Sequence, residues 1–240
     1  MRYPPKSQAV EYFDGPAQDP VEFAGLLGAL RRINRWYGGH GLILRYLSRF
    51  AELLPHRPLV ILDVATGSAD VPAAIASWAR SRRLPVRVVA LDINPDILDE
   101  ARKVVAGLPE ITLTRADAFA LPIPDRSVDV VVNALTLHHF SFADAASMLR
   151  EINRVARGGF VVNDILRSWP AYAGACFDAA VIERNRLARH DTPLSVLRSF
   201  TWREFHDLVR AAGLPGVEIR GYRLLRAVLV RWPDGGRRGH

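Results

Sequence analysis

The chain has one cysteine, Cys176, among its 240 residues. A lone cysteine can form neither an intrachain disulfide nor a cysteine-based zinc site, and we predict no metal centre. The chain also lacks a continuous apolar run of about 18 residues, which a membrane-spanning helix would need. Its first segment, Met1–Asp19, is polar and has no apolar stretch typical of a secretory signal. We therefore expect a cytoplasmic globular protein.

Lysine is scarce: Lys6 and Lys103 are the two lysines among 32 basic residues, and the others are arginines. The formal net charge of +7 raises the question of a nucleic-acid partner. The arginines, however, are scattered in short groups such as Arg31, Arg32 and Arg35, which is typical of solvated helix faces. This distribution disfavours nucleic acid and favours a small molecule as the partner.

Apolar residues follow two different spacings along the chain. Over 21–53 they recur every three or four residues, which predicts one or two amphipathic helices interrupted at Gly38–Gly41. Beyond that segment, short continuous runs of branched apolar residues predict buried strands separated by helices. The predicted strands are 59–64, 86–91, 111–114, 128–133 and 160–164, and helices are predicted at 95–105 and 142–156.

This alternation is typical of a parallel sheet with helices on both faces. We predict one domain of doubly wound α/β fold with a mostly parallel, seven-stranded sheet, a size that a single core can support. The last two strands, 217–221 and 224–230, are expected to close the sheet as an antiparallel pair. The predicted segments are an N-terminal helical cap (21–53), a cofactor-binding core (59–164), a helical insertion that caps the substrate (165–195), a C-terminal part (196–232) and a tail (233–240).

A turn of small residues, Asp63–Asp70, follows the first predicted strand. In doubly wound sheets ligands bind outside the carboxyl ends of the strands, where such a turn lets the backbone approach a ligand. Asp92 ends the second strand about twenty residues later, where a carboxylate can accept hydrogen bonds from ribose hydroxyls. Neither Gly-x-Gly-x-x-Gly nor a phosphate-binding Gly-x-x-x-x-Gly-Lys motif is present. The pattern predicts a nucleoside-type ligand, and Asp70 is expected to cap the next helix.

These motifs resemble those of the class I S-adenosylmethionine-dependent methyltransferases. The first family motif reads acid-x-Gly-x-Gly-x-Gly, and the chain matches it as Asp63-x-Ala65-x-Gly67-x-Ala69, keeping the central glycine. The segments Val88–Asn94 and Ala116–Ala118 resemble the next two motifs, and the likeness spans about 59–165.

The resemblance implies that S-adenosylmethionine is the cofactor. It further implies that Asp92 holds the ribose, that Ile93 packs on the adenine and that Asp117 contacts the adenine amino group. The implied cofactor-binding residues are Asp63, Ala65, Thr66, Gly67, Asp92, Ile93, Asp117, Ala118 and Asn133.

Two flanking segments bear on the methyl acceptor. Asn34–His40 is similar to the N-terminal part of the quinone-biosynthesis methyltransferases, and His190–Thr201 is similar to a bacterial subgroup associated with type III polyketide synthases. These likenesses imply a phenolic, quinone-like or polyketide acceptor, methylated on a hydroxyl or on a ring carbon.

Four residues are candidates for catalysis on the acceptor side. Methyl transfer to a hydroxyl requires alignment and removal of its proton. His138 and His139 follow the fourth strand, and Asp164 ends the fifth, where a carboxylate would orient an imidazole and raise its basicity. His190 lies in the predicted substrate cap. The plainer interpretations are packing for the two histidines, a helix cap for Asp164 and a surface position for His190.

Two other functions stay open. A nucleic-acid amino-methyltransferase would carry Asn/Asp-Pro-Pro-Tyr/Phe after the fourth strand, where this chain has Asn133–Thr136, and Cys176 lies outside any motif for a cytosine-attacking nucleophile. A non-catalytic S-adenosylmethionine-binding protein would keep the fold without turnover, and Ala69 in the loop is its one support. The sequence leaves monomer and homodimer equally open.

Overall fold

The structure is a computed structural model that describes residues 2–15, 19–54 and 58–233. The tail predicted at 233–240 lies outside the described residues, except for Pro233. The strands are β1 (Leu59–Val64), β2 (Val86–Asp92), β3 (Ile111–Arg115), β4 (Val128–Ala134), β5 (Ala156–Ile165), β6 (Glu218–Tyr222) and β7 (Arg226–Arg231). The α-helices are α1 (Pro20–Trp36), α2 (Gly39–Leu53), α3 (Asp70–Ser81), α4 (Pro95–Val104), α5 (Phe142–Val155), α6 (Trp169–Phe177), α7 (Arg186–Arg198) and α8 (Trp202–Ala211).

The seven strands form one sheet in the order β3-β2-β1-β4-β5-β7-β6. Strands β1 to β5 pair in parallel, whereas β7 runs antiparallel to both β5 and β6. The predicted mostly parallel sheet with a closing antiparallel pair is confirmed. The strand order reverses between β1 and β4, so the carboxyl ends of β1, β2, β4 and β5 meet at one edge, the place where doubly wound sheets bind ligands.

Helices cover both faces of the sheet. On one face α5 and α8 bury Met148 and Phe205, and on the other α2 and α3 bury Leu47 and Ile75. Helix α2 was expected to belong to the cap, but Phe50 and its neighbours pack against the sheet. The part of the chain that the structure describes has no helix long and apolar enough to cross a bilayer.

Strand β5 begins earlier than predicted, directly after α5. The sequence indicated a strand from 160, with Arg157-Gly158-Gly159 as the approach to it. In the structure the two glycines lie within the strand, next to a register irregularity between β4 and β5. A Cβ atom on Gly158 would lie 2.6 Å from the carbonyl oxygen of Asp129. Glycine is therefore required here for close backbone approach rather than for a turn.

The expected cap of α3 is also wrong. Asp70 is the first residue of the helix, and the N-cap is Ala69, whose backbone is left-handed and whose side chain makes no capping bond. The Asp70 carboxylate instead accepts hydrogen bonds from Asn34 at 3.0 Å and lies 2.6 Å from His40 Nε2. The Asp70 carboxylate therefore connects α3 to α1 and α2: it contacts Asn34 and His40 rather than the backbone N–H groups at the start of its own helix.

Three segments lie over the carboxyl edge of the sheet: α1, α7 and residues 2–15, called here the N-terminal strap. Helices α1 and α7 share a small apolar cluster with Ile97 of α4, separate from the two sheet cores. The strap is fixed to α7 by the carboxylate of Asp191, which accepts from the backbone N–H groups of Tyr12 at 2.9 Å and Phe13 at 3.0 Å. These segments form a cap with a small core of its own.

We expect this cap to open independently of the sheet. Amides of α1 and α7 should exchange with deuterium faster than those of β1, because the cap buries less apolar surface. Bound S-adenosylhomocysteine should prevent these opening motions. At about 100 times its dissociation constant, it should slow the exchange that depends on them by about 100-fold. Hydrogen exchange followed by mass spectrometry measures both effects. Equal protection of α1, α7 and β1 without ligand would show that the cap is not mobile.

Candidate active site

A cavity of about 620 Å³ lies between the carboxyl edge of the sheet and the cap. Its size is within the range of about 300–1,000 Å³ found for small-molecule sites. The loop Ala65–Ser68 after β1, the end of β2 at Asp92 and the segment Leu135–Thr136 after β4 line one side. Residues of the strap, α1 and α7 line the other. The cavity therefore occupies the position that the strand order predicts for a ligand.

The loop after β1 adopts a conformation that normally favours glycine. Ala65, Gly67 and Ala69 have φ values of 53°, 56° and 58°. The left-handed region costs an alanine about 1–2 kcal/mol relative to a right-handed conformation. The loop is held by hydrogen bonds from Gly67 N–H to Asp92 Oδ2 at 3.0 Å and from Thr66 N–H to the Leu91 carbonyl at 2.8 Å. The two alanines thus adopt the backbone that glycine would supply at these positions.

Carboxylates dominate the polar surface on this side of the cavity. Asp63 accepts a hydrogen bond from Thr66 Oγ1 at 2.6 Å, and burial raises the pKa of Asp63 to about 8. Burial also raises the pKa of Asp92, although the backbone N–H groups of Asn94 and Gly67 oppose the shift. With Asp70, these acids form a cluster that a positively charged ligand would stabilise in its ionised form.

A buried histidine–aspartate pair borders the same cavity. His138 is 4% exposed and Asp164 is 0% exposed. His138 Nδ1 lies 2.6 Å from Asp164 Oδ1, and the backbone N–H of His138 donates to Oδ2 at 3.2 Å. Burial acts to raise the pKa of Asp164, but the charge and hydrogen bond of His138 and the N–H of Ile165 together lower it. The carboxylate holds Nδ1, which leaves His138 Nε2 as the nitrogen that can accept a proton.

His139 belongs to a second carboxylate contact. Its Nδ1 lies 2.8 Å from Asp14 Oδ1 on the strap. Its ring centroid lies 4.3 Å from that of His138 and 5.5 Å from that of Phe13, and the ring planes are tilted in both pairs. Arg198 of α7 bonds to Asp14 and donates to the His139 carbonyl. The histidine pair therefore joins the β4 end of the sheet to the strap and to α7.

Most predicted site residues line this cavity, and five do not: Asp164, Asn133, Asp117, Ala118 and His190. Asp164 has no exposed surface and contacts His138 instead. Asn133 is fully buried and its Nδ2 donates to the Val64 carbonyl at 2.8 Å, which joins the ends of β4 and β1. Asp117 is exposed and accepts from its own turn, and Ala118 packs on the sheet core. His190 is on the outer face of α7, with its side chain 47% exposed and paired with Asp191.

Two lining residues carried no signal in the sequence. Glu11 comes from the polar strap, which has no periodicity, yet it is 3% exposed and faces the cavity. Arg31 of α1 is the one arginine or lysine among the described lining residues. Its Nη1 is buried without a hydrogen-bond partner in the described ranges. A guanidinium that borders a cavity and has one nitrogen without a hydrogen-bond partner is suited to an anionic ligand group.

Residues 61–159 match the protein family described as methyltransferase domain. The match covers less than half of the chain, and this part of the chain is similar to that family. The match confirms the predicted resemblance to S-adenosylmethionine-dependent methyltransferases over the core strands that carry the loop, Asp92 and the β4 end.

Curated relatives are named for quinone methylation. The demethylmenaquinone methyltransferase of Deinococcus radiodurans is 36% identical over 131 residues, which cover 54% of this chain and 51% of the relative. The enzyme of the same name from Thermus thermophilus is 38% identical over 125 residues, which cover 51% of this chain and 54% of the relative. A ubiquinone/menaquinone biosynthesis C-methyltransferase of Rickettsia akari is 32% identical over 120 residues, covering 49% and 48%. The chain thus spans about half the length of these relatives.

Solved structures share the fold. A SAM-dependent methyltransferase from Aquifex aeolicus matches with a TM-score of 0.57 at 18% identity, over 89% of this chain and 98% of that one. The DszA carbon methyltransferase matches with a TM-score of 0.61 at 15% identity, over 82% and 54%. At this identity the likeness supports the fold and no finer property.

The geometry of Asp92 leads to a testable expectation. Asp92→Asn should weaken binding of S-adenosylhomocysteine by about 1.5–3 kcal/mol, because a charged acceptor is lost from both the loop and the ligand. Asp96→Asn, an exposed change one turn away on α4, is the matched control. Isothermal titration calorimetry measures the difference. Equal affinities for wild type and Asp92→Asn would remove Asp92 from the binding site.

Proposed function

We propose that the chain binds S-adenosylmethionine and transfers its methyl group to a hydroxylated aromatic small molecule. The preferred acceptor atom is a ring carbon next to the hydroxyl, and the hydroxyl oxygen is the alternative. One observation carries the proposal: His138, which is paired with the buried Asp164, and the loop around Gly67 line the same cavity. A base and a cofactor site therefore face one another across the space of a small molecule.

The cofactor fits the acidic side of the cavity. Asp92 would accept hydrogen bonds from the ribose, and Ile93, which is 58% exposed, would cover the adenine. The sulfonium and the ammonium of the amino-acid end are cations, which Asp63 would stabilise. The carboxylate of that end needs a cation, and Arg31 is the one such side chain among the described lining residues. Charge complementarity thus supports this orientation of S-adenosylmethionine.

The acceptor fits the side of the histidines. A phenol with an ordinary pKa of about 10 is mostly protonated at neutral pH, so the ring becomes a strong nucleophile when a base removes the hydroxyl proton. His138 Nε2 would accept it, and Asp164 would stabilise the resulting imidazolium. The preference for carbon follows from the relatives, because a C-methyltransferase of quinone biosynthesis is among them.

The other two functions are less well supported. A nucleic-acid acceptor would need cations along the entrance to hold phosphates, whereas acidic side chains outnumber Arg31 in the described lining. A non-catalytic binding protein would have no use for a buried carboxylate–imidazole pair, which is costly to bury without a function.

The direct test is an assay with methyl-labelled S-adenosylmethionine and a panel of acceptors. The panel contains a short-chain demethylmenaquinol, an alkylresorcinol, and duplex DNA and transfer RNA as alternatives. We expect label in one of the two small molecules, and mass spectrometry with nuclear magnetic resonance of the product identifies the methylated atom. Label in nucleic acid, or in none of the four, would contradict the proposed function.

His138→Asn tests the base. Asparagine can still donate to Asp164, so the fold is kept while the proton acceptor is lost. We expect kcat to fall by about 10²–10⁴-fold with S-adenosylhomocysteine affinity unchanged. Part of the rate should return at high pH, where the phenol ionises unaided. His206→Asn, on the exposed face of α8, is the control. A loss of less than about tenfold without rescue by pH would assign His138 to alignment alone.

A further inference from the structure

Glu11 occupies an unusual position for a residue of an N-terminal segment. It immediately precedes the 3-10 turn Tyr12–Asp14, is 3% exposed and faces the cavity. The N–H groups of Tyr12 and Phe13 donate to Asp191 and fix the backbone of this turn, directly after Glu11. The structure therefore positions a carboxyl group in the acceptor half of the cavity by contacts between opposite ends of the chain.

The two oxygens of Glu11 have different surroundings. Oε2 accepts a hydrogen bond from Ser195 Oγ at 2.8 Å, and Ser195 in turn is itself buried on α7. Oε1 makes no hydrogen bond with the described residues and lies 3.5 Å from Arg198 Nη1. Oε2 is thus anchored by a hydrogen bond, whereas Oε1 is buried and its charged neighbour is Arg198.

Glu11 lies close to both histidines. One oxygen of Glu11 and one ring nitrogen each of His138 and His139 lie within 4.8 Å of one another. An aromatic ring that places its hydroxyl at His138 therefore has its neighbouring carbon within reach of Glu11. His138 and Glu11 thus offer two proton acceptors, one to the hydroxyl and one to the neighbouring carbon of the same ring.

Burial and the neighbouring charges place the pKa of the Glu11 carboxyl group near neutral pH. Burial raises the pKa of Glu11 to about 7, against the lowering effects of His139, of the Ser195 hydrogen bond and of Arg198. Asp14 on the strap raises it further. A carboxyl group with a pKa near the working pH is well matched to accept and release a proton during turnover.

Methylation of a ring carbon requires a second proton acceptor. When His138 Nε2 takes the hydroxyl proton, an electron pair of the ring forms the bond from carbon to methyl. The bond between methyl and sulfur breaks, and its electrons remain on sulfur as a neutral thioether. The methylated carbon still carries its hydrogen, so the ring is a non-aromatic ketone until that proton is removed.

We propose that Glu11 is the catalytic base that removes this ring proton, an inference that rests on the proposed function. The electrons of the C–H bond restore the aromatic ring, and the ketone oxygen regains its proton from His138. One proton is released overall, and it leaves on Glu11. Ser195 is a positioning residue, because it holds the carboxyl group through Oε2.

The same three side chains have the composition of a metal site, which is the competing explanation. The guanidinium of Arg198 lies 3.5 Å from Glu11 Oε1, and a divalent cation at that oxygen would be repelled by this fixed positive charge. The position of Arg198 favours a proton acceptor over a metal ligand. Chelation is therefore included in the test.

The test compares wild type with Glu11→Gln, which keeps the shape of the side chain and an acceptor for Ser195. Glu52→Gln, whose side chain is 64% exposed on α2, is the matched control. The first acceptor is the panel compound that is methylated on a ring carbon, prepared with hydrogen or with deuterium at that carbon. The second is an analogue in which that carbon already bears a methyl group. Rates are measured from about pH 6 to 8, on either side of the pH range at which such a base titrates.

We expect Glu11→Gln to lower kcat for carbon methylation by about 10²–10⁴-fold and to reveal a primary deuterium isotope effect that wild type lacks. The rise of the wild-type rate through about pH 7 should disappear, since Glu11 acts only when ionised. Oxygen methylation of the blocked analogue should be unchanged. Equal losses on both acceptors, no isotope effect, or loss of wild-type activity with a chelator would overturn the assignment.

A measurement without turnover separates this inference from the proposed function. If wild type methylates no acceptor in the panel, the proposed function fails, and Glu11 is then assessed by infrared difference spectroscopy of wild type minus Glu11→Gln. A protonated carboxyl band that titrates near neutral pH supports a poised acid–base group at this position. A Glu11 that stays ionised throughout the neutral range would overturn the inference by itself.

Discussion

The buried carboxylate of Asp164 is the constraint on which the acceptor side of the structure depends. A carboxylate with no exposed surface is stable only when its oxygens are paired. His138 supplies both its imidazole and its backbone N–H, and Ile165 supplies a third donor. Arg226 is buried on the adjacent β7; burial lowers its pKa, and the negative charge of Asp164 opposes that lowering. Because these partners come from β5, β7 and the end of β4, satisfying Asp164 fixes the direction of the His138 ring.

The cavity combines two electrostatic environments that a sulfonium methyl donor would need at once. On the cofactor side, burial raises the pKa values of Asp63 and Asp92, so these acids gain most when a cation arrives. On the acceptor side, each histidine faces a carboxylate, Asp164 or Asp14, which stabilises a proton taken from the acceptor. As positive charge is lost at sulfur during methyl transfer, a proton gained by His138 keeps the total charge of the cavity constant.

The sequence predicted what depends on local pattern and on the sheet. Continuous apolar strands such as β1 and β4 were recognisable, and because parallel strands end at one edge, Asp63, Asp92, His138 and Asp164 could be assigned to one site. Gly158 was left outside the predicted strand 160–164, because glycine is uncommon within strands and its close approach to Asp129 is not visible in the sequence. Asp70 was assigned to a helix cap, since its partners on α1 and α2 are remote. Glu11 could not be found at all: its burial depends on Ser195, at the other end of the chain, and no local periodicity encodes that contact.

The strap explains why the acceptor half of the site is built from remote pieces. Glu11 and Asp14 come from the strap, and their partners Ser195 and Arg198 come from α7. The backbone of the strap is fixed to α7 by Asp191. Opening of the cap would therefore remove a proton acceptor and admit water in the same movement. Because the cofactor loop belongs to the sheet, opening of the cap would leave that loop in place and would withdraw Arg31 of α1 from the cavity. Closure with the acceptor present would lower the local dielectric around both proposed bases. It would thereby limit proton exchange with water to the steps between turnovers.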